Sequence, residues 1–350
     1  MLNEMKYPKA VKTKLSTYSQ YSIFLIAGLL LVWWQLHGMT DKQTADFKNA
    51  LLHANYFLVI PVVIMNLSSH LVRSMRWKLL MEPLGFNPTL KNTFAVTMVG
   101  YLANSAVPRL GEVLKCSLLS KYENLKTDKL IGTIVIERVF DLICYFIFIC
   151  ITVIIQIDVI GNFVKEKLAV VGSNTGFPIW GKLLILLLVL VVIYFILKKI
   201  ISLYPNNSAL LKIKNFIAGI FTGITSVRNL KKRKLFLLYT VFIWAMYLLQ
   251  LYVAFKALDS TAHLGVKAAC SVLSLSTLAM IVTPGGLGSF PIFVSQTLAI
   301  YSIEIAQGEA YGWLIWGVST IMIIIVGVIA AVALPYINKY TNENQPSTTA

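Results

Sequence analysis

The sequence predicts an all-α polytopic membrane protein with six full transmembrane helices. Two Pro/Gly-broken re-entrant hairpins in opposite orientation complete it, and hydropathy would count about eight spans in all. Three observations carry this. The chain is 57% hydrophobic and 13% charged, whereas a soluble domain carries about 25% charged residues. Its apolar residues fall in runs about 20 residues long, the length that crosses a bilayer. Its 31 Lys and Arg against 15 Asp and Glu are unevenly divided between the segments that join those runs. Together these exclude a soluble enzyme, a disordered tail and a fibrous protein. No nucleic-acid partner is implied either, because the bases sit between apolar runs and form no basic face.

In chain order, residues 1–17 form a basic tail and 18–338 a single transmembrane domain, with a polar tail at 339–350. Full spans are expected at about 18–37, 51–72, 130–157, 183–203, 235–257 and 310–337, the last ending at Pro335. The first run lacks a small-residue cleavage site and reads as a retained span. Two regions do not fit one span each. Residues 92–120 contain Asn104, Pro108, Arg109, Gly111 and Glu112 in their middle. Residues 266–303 are interrupted by Pro284, Gly285, Gly286 and Gly288. Two short apolar helices around irregular backbone are what a re-entrant hairpin looks like, since unpaired backbone groups at membrane depth must be enclosed by protein, water or a polar ligand.

Charge supports that topology. With both regions folded back to their own side, 22 bases fall inside and 7 outside, and Arg109 and Arg138 in the membrane complete the 31. Excess Lys and Arg marks the cytoplasmic side, so the amino terminus is expected there, in a multi-pass protein of a bacterial cytoplasmic (inner) membrane. The run from Val227 to Lys234 fixes topology on this reading and contacts anionic lipid secondarily. Residues 210–226 are expected to form an amphipathic helix on the inner surface.

Three full spans separate the hairpins, so they enter from opposite faces, the layout of inverted-repeat transporters whose substrate site lies between the tips. Five ionisable residues lie in or beside apolar segments: Arg109, Glu112, Glu137, Arg138 and Asp141. Charges at membrane depth are costly and usually paired or functional. Arg109 and Glu112 are three apart, within reach if the chain after Pro108 is helical, and Gly111 would allow close packing there. Arg138 is expected to neutralise Glu112, with Glu137 or Asp141 receiving Arg109. A structural ion-pair network and a substrate path both fit this cluster and are compatible. Arg73 and Arg76 share a helix face after the second span and suit a lipid phosphate; interfacial snorkelling, with Trp77 in the aromatic belt, fits equally.

Cys116, Cys144, Cys150 and Cys270 have no metal or disulfide spacing and read as small apolar fillers. His37, His53, His70 and His263 are scattered over interfacial positions. Neither a metal nor a cofactor is expected, and no nucleotide-binding or hydrolase motif is present. The reading therefore leans away from an enzyme.

Four motifs in order carry a family resemblance: Arg73-Ser74-Met75-Arg76-Trp77-Lys78-Leu79-Leu80, then Asn104 to Glu112, then Glu137-Arg138-Val139-Phe140-Asp141, then Pro284-Gly285-Gly286-Leu287-Gly288. The chain resembles the lysylphosphatidylglycerol synthase transmembrane-region family, the UPF0104 membrane proteins, and is similar to the flippase half of the multiple peptide resistance factor. The resemblance covers about residues 20–338 and implies a lipid or lipid-linked-substrate flippase whose partners are membrane lipids with anionic headgroups. It leaves open a homo-oligomer and a separate soluble transferase. Family members often carry a Glu shortly after the Pro-Gly-Gly turn, where Ser289-Phe290-Pro291 stands here. The aminoacyl-transfer domain of the two-part enzymes is absent from this sequence, so lysylphosphatidylglycerol synthesis by this chain alone is not expected. The alternative is an accessory subunit or embedded enzyme of lipid or glycan assembly.

Overall fold

A computed structural model describes residues 26, 28–35, 37–107, 109–168, 181, 188 and 225–343. All regular structure among them is helical, and the chain is an all-α polytopic membrane protein. Nine helices are labelled here: α1 Asp41–Leu52, α2 Val59–Met81, α3 Leu90–Ala106, α4 Leu110–Glu123, α5 Thr127–Leu168, α6 Arg233–Phe255, α7 Val266–Val282, α8 Ser289–Ala299 and α9 Ile305–Glu343. Two compact units divide the chain, one of residues 1–131 with 238–350 and one of residues 132–237.

Four stretches are long and apolar enough to cross a membrane: Tyr56–Leu84, Thr127–Gln156, Arg233–Phe255 and Ile305–Asn338. They answer to the second, third, fifth and sixth expected spans. Residues 28–35 of the first are helical; the fourth, at 183–203, lies almost wholly outside the described residues, as do the tail 1–17 and most of 210–226. Two boundaries differ from expectation. Residues 41–52 form a separate helix, opened by a Thr40–Gln43 capping box, and the second span starts only after Asn55. It then runs past Arg73 and Arg76 to Met81, because both arginines face protein. The last helix continues through Pro335 to Glu343; Asn338 holds its end by donating from Nδ2 to the Leu334 carbonyl at 2.8 Å.

Helix order and length repeat along the chain. A 23-residue helix, a 17-residue helix, a Pro-bearing break, a shorter helix and a long helix occur as α2–α3–α4–α5 and again as α6–α7–α8–α9. The two 17-residue helices stop for one reason: Val107 (φ −135, ψ 112) and Thr283 (φ −129, ψ 155) are extended, as a residue preceding proline prefers.

Within the first unit, α9 orients the two hairpins. Going down it, Gly308 packs on Ser295, Gly312 on Pro291, and Trp316 Nε1 donates to the Gly285 carbonyl at 2.8 Å. Further on, Gly327 meets Leu102 and Met98, and Asn338 pairs with Asn92 at 2.8 and 3.0 Å. The second hairpin is thus met from its arm to its tip, and the first from near its tip to its base. They enter from opposite ends and meet halfway. Gly308 and Gly312 are a small-xxx-small pair of the kind that lets membrane helices approach closely: a Cβ on either would stand 2.9 Å from Ser295 Cα or 2.7 Å from Pro291 Cα.

Asp46, Asn49, His53, Asp259 and Gln307, from the segments around α1, α6 and α9, line a common polar cleft. At the other end of α9, Glu123 Oε1 accepts from the Thr89 amide and hydroxyl and from Asn92 Nδ2 at 2.7–2.9 Å.

Candidate functional site

Each tip satisfies much of its own broken backbone. In the first, the Gly111 amide donates to Asn104 Oδ1 at 2.8 Å. Gly111 itself lies against Gly100, so closely that a Cβ would come within 2.6 Å of the Gly100 carbonyl carbon. The sequence foresaw close packing at Gly111 and missed its partner on α3. Arg109 is exposed and has left-handed backbone (φ 67, ψ −9) as the residue preceding α4, a conformation uncommon for a side-chain-bearing residue. The helix therefore begins at Leu110, after Arg109, so the spacing of Arg109 and Glu112 along one helix does not apply. Pro108 lies outside the described residues.

In the second tip, Gly285, Gly286 and Gly288 have φ of 60, 74 and 72°, which glycine adopts without steric cost. Pro284 opens the turn. Ser289, standing where relatives of the resembled family often carry a nearby carboxylate, is buried; its hydroxyl donates to the Ala279 carbonyl at 2.8 Å and lies 2.7 Å from the Thr283 hydroxyl. Thr283 Oγ1 also donates to the Leu287 carbonyl at 2.9 Å. Gly288 packs on the backbone at Gly28, within the helical stretch 28–35.

The tips touch. A Cβ on Gly285 would lie 3.9 Å from Ser105 Cα. Polar side chains from two further helices gather beside them. Asn66 on α2 donates from Nδ2 to Ser319 Oγ on α9 at 2.9 Å, one turn from Trp316. One turn along α2, the His70 ring lies 4.7 Å from the Tyr101 ring on α3. His70 is buried, and neither of its ring nitrogens nor Asn66 Oδ1 has a hydrogen-bond partner among the described residues. This corrects the interfacial placement of His70: α2 starts later than the sequence suggested, which moves His70 to membrane depth. The i, i+4 spacing of Asn66 and His70 in an apolar helix was the available signal.

Arg73 and Arg76 lie inside α2. Arg73 Nη1 donates to the Tyr247 hydroxyl at 3.1 Å and Arg76 Nη1 to Thr240 Oγ1 at 3.3 Å, both on α6. Arg76 is 0% and Trp77 1% exposed, so Trp77 is no belt residue; Lys115 Nζ stands 4.3 Å from its ring centroid. Snorkelling is thereby replaced by burial. Of the charged five, Arg109 and Glu112 belong to the first unit, and Glu137, Arg138 and Asp141, all on α5, to the second. Glu137 is buried, Asp141 half-buried and Arg138 exposed.

Fold and site together define a polytopic helical membrane protein with paired, opposed hairpins meeting at a polar junction. The chain belongs to the lysylphosphatidylglycerol synthase transmembrane-region family, whose family model matches residues 20–327. It is 25% identical over 294 residues to a UPF0104 membrane protein of Methanocaldococcus jannaschii, an alignment covering 80% of this chain and 85% of that one. No solved structure matches.

Proposed function

We propose that the protein translocates a lipid or lipid-linked substrate across the cytoplasmic membrane of a bacterium, with its amino terminus inside. The observation that carries this reading is the meeting of two oppositely entering hairpin tips beside polar atoms that have no partner among the described residues, His70 Nδ1 and Nε2 and Asn66 Oδ1. Such atoms at membrane depth are tolerated where a polar ligand or water reaches them. An anionic headgroup supplies the acceptors that Arg109 or Arg138 would bind, while Glu112, Glu137 and Asp141 reset the pair or carry protons. Arg73 and, once freed from its buried place beside Thr240, Arg76 would contact the headgroup phosphate from α2. Membrane lipids are the partners on this reading.

The test is translocation of a fluorescent anionic phospholipid in proteoliposomes, read by quenching from outside. Glu112→Gln and Arg109→Ala should each abolish transport while eluting as folded protein. Wild-type rates in both would sink the proposal.

A further inference from the structure

Glu309 was placed by the sequence in a loop outside the last span. The structure puts it just past the first turn of α9 and buries it, 8% exposed. No Lys or Arg stands within ion-pair distance of it among the described residues. The side chain facing it is Gln35, from the helical stretch 28–35, which is 5% exposed. The two side chains lie within hydrogen-bonding reach of each other, yet Glu309 Oε2 and both polar atoms of Gln35 meet no well-formed hydrogen-bond partner among the described residues, nor does Trp313 Nε1 one turn further along α9. Three neighbouring side chains thus present unsatisfied polar atoms, two of them more than nine-tenths buried.

We propose that Glu309 and Gln35 form a proton-binding site. An ionised carboxylate cannot stay enclosed without a cation or several donors; it neutralises instead. A protonated Glu309 donates its O–H to Gln35 Oε1 and accepts from the amide Nε2, which satisfies both side chains at once. A metal cation fits worse, because one carboxylate and one amide oxygen fall far short of the six or so oxygens a hard cation takes. Loss of the proton leaves a charge that must hydrate, and hydration parts the first span from α9. Protonation is thereby linked to the packing of α9, the helix on which both hairpins are aligned. The site does not depend on what the hairpins carry.

Surrounding groups leave Glu309 unbalanced. From α1, Lys42 lies 4.0 Å from Glu304, both side chains well exposed, while Asp46 and His53 line the polar cleft with Asp259 and Gln307. Asp41 and Lys48 complete the charges of α1. On α8 and in residues 28–35 no side chain ionises. His37 is exposed, its Nδ1 3.2 Å from the Trp33 carbonyl. The titratable and charged side chains of α2, at His70, Arg73, Arg76 and Lys78, lie beyond the Asn66–Ser319 contact. On α3, Lys91 sits at the hairpin base beside Asn92, which meets the opposite end of α9.

Dicyclohexylcarbodiimide modifies carboxyl groups that are protonated in apolar surroundings, and peptide mass spectrometry of the purified full chain locates the adduct. At neutral pH, Glu309 should be modified at least tenfold faster than the exposed Glu304, and alkaline pH should suppress it. Infrared pH-difference spectra should show a protonated-carboxyl band that Glu309→Gln removes. Absence of that band difference overturns the proposal, whether or not the reagent reaches the site. Protection of Glu309 by sodium at neutral pH also overturns it, in favour of a metal cation.

Discussion

Replacing Gly111 by alanine tests the tightest contact in the first hairpin. The added Cβ would overlap the Gly100 carbonyl oxygen outright and sit 2.6 Å from its carbon and 2.8 Å from Asn104 Cγ. Ordinary contact begins at 3.4 Å, so α3 and α4 must part by well over an ångström at that point. The obstacle is backbone, which cannot rotate away, and the shift also lengthens the 2.8 Å bond from the Gly111 amide to Asn104. Overpacking of this kind costs about 1–3 kcal/mol, and the helix preference of alanine returns at most about 1 kcal/mol. Gly132→Ala is the control, since nothing lies within 4 Å of its Cβ and only the preference acts. In detergent, thermal unfolding followed by size-exclusion fluorescence should show Gly111→Ala melting about 1–4 °C below wild type. Gly132→Ala should melt at or above it. If the two variants melt together, the hairpin is not packed through Gly100 and Gly111.

Other consequences can be measured on the same preparations. Asn92→Ala and Asn338→Ala should each destabilise by about 1 kcal/mol, and the double variant should cost clearly less than their sum, because both remove the same amide pair; additive losses would refute the pairing. Trp316→Phe keeps an aromatic ring and deletes the donor to Gly285, so on the proposed function lipid translocation should fall severalfold while the melting temperature changes little; an unchanged rate would show that the tip needs no anchor. Glu304→Gln should leave stability within about 0.5 kcal/mol of wild type, since its pairing with Lys42 is solvent-exposed. A larger loss in urea titration would contradict that.

Much of the fold was legible because the bilayer simplifies the code. Runs of apolar residues mark spans, and a Pro followed by Gly marks a break that hydrocarbon will not tolerate unless protein encloses it. Both hairpins were readable on that basis, and Val107 and Thr283 stop their helices as residues before proline should. The start of α2 was not readable. Its polar residues Asn66, His70, Arg73 and Arg76 lower the hydropathy of a helix that faces protein, so the apolar window slid towards the amino terminus. For the same reason Glu309 passed for a loop residue, because a sequence does not show which charges a neighbouring helix will cover. Gly308 and Gly312 escaped notice because their role lies in Ser295 and Pro291, which belong to another helix. At Arg109 the condition of a helix from Pro108 onward does not hold, because the chain turns left-handed there before α4 begins.

The Asn92–Asn338 pair spans 246 positions of sequence. Ribosomes add about 5–20 residues per second, so the base of the first hairpin waits about 12–50 s for its partner. The second hairpin waits much less for Trp316, which is only 31 positions beyond Gly285. During that interval the first hairpin has been synthesised without the helix that aligns it, and its broken backbone must be sheltered by something other than α9. Truncating the nascent chain before α9 therefore removes the partner of both hairpins, and the quality-control proteases of the membrane would meet two unsupported re-entrant loops.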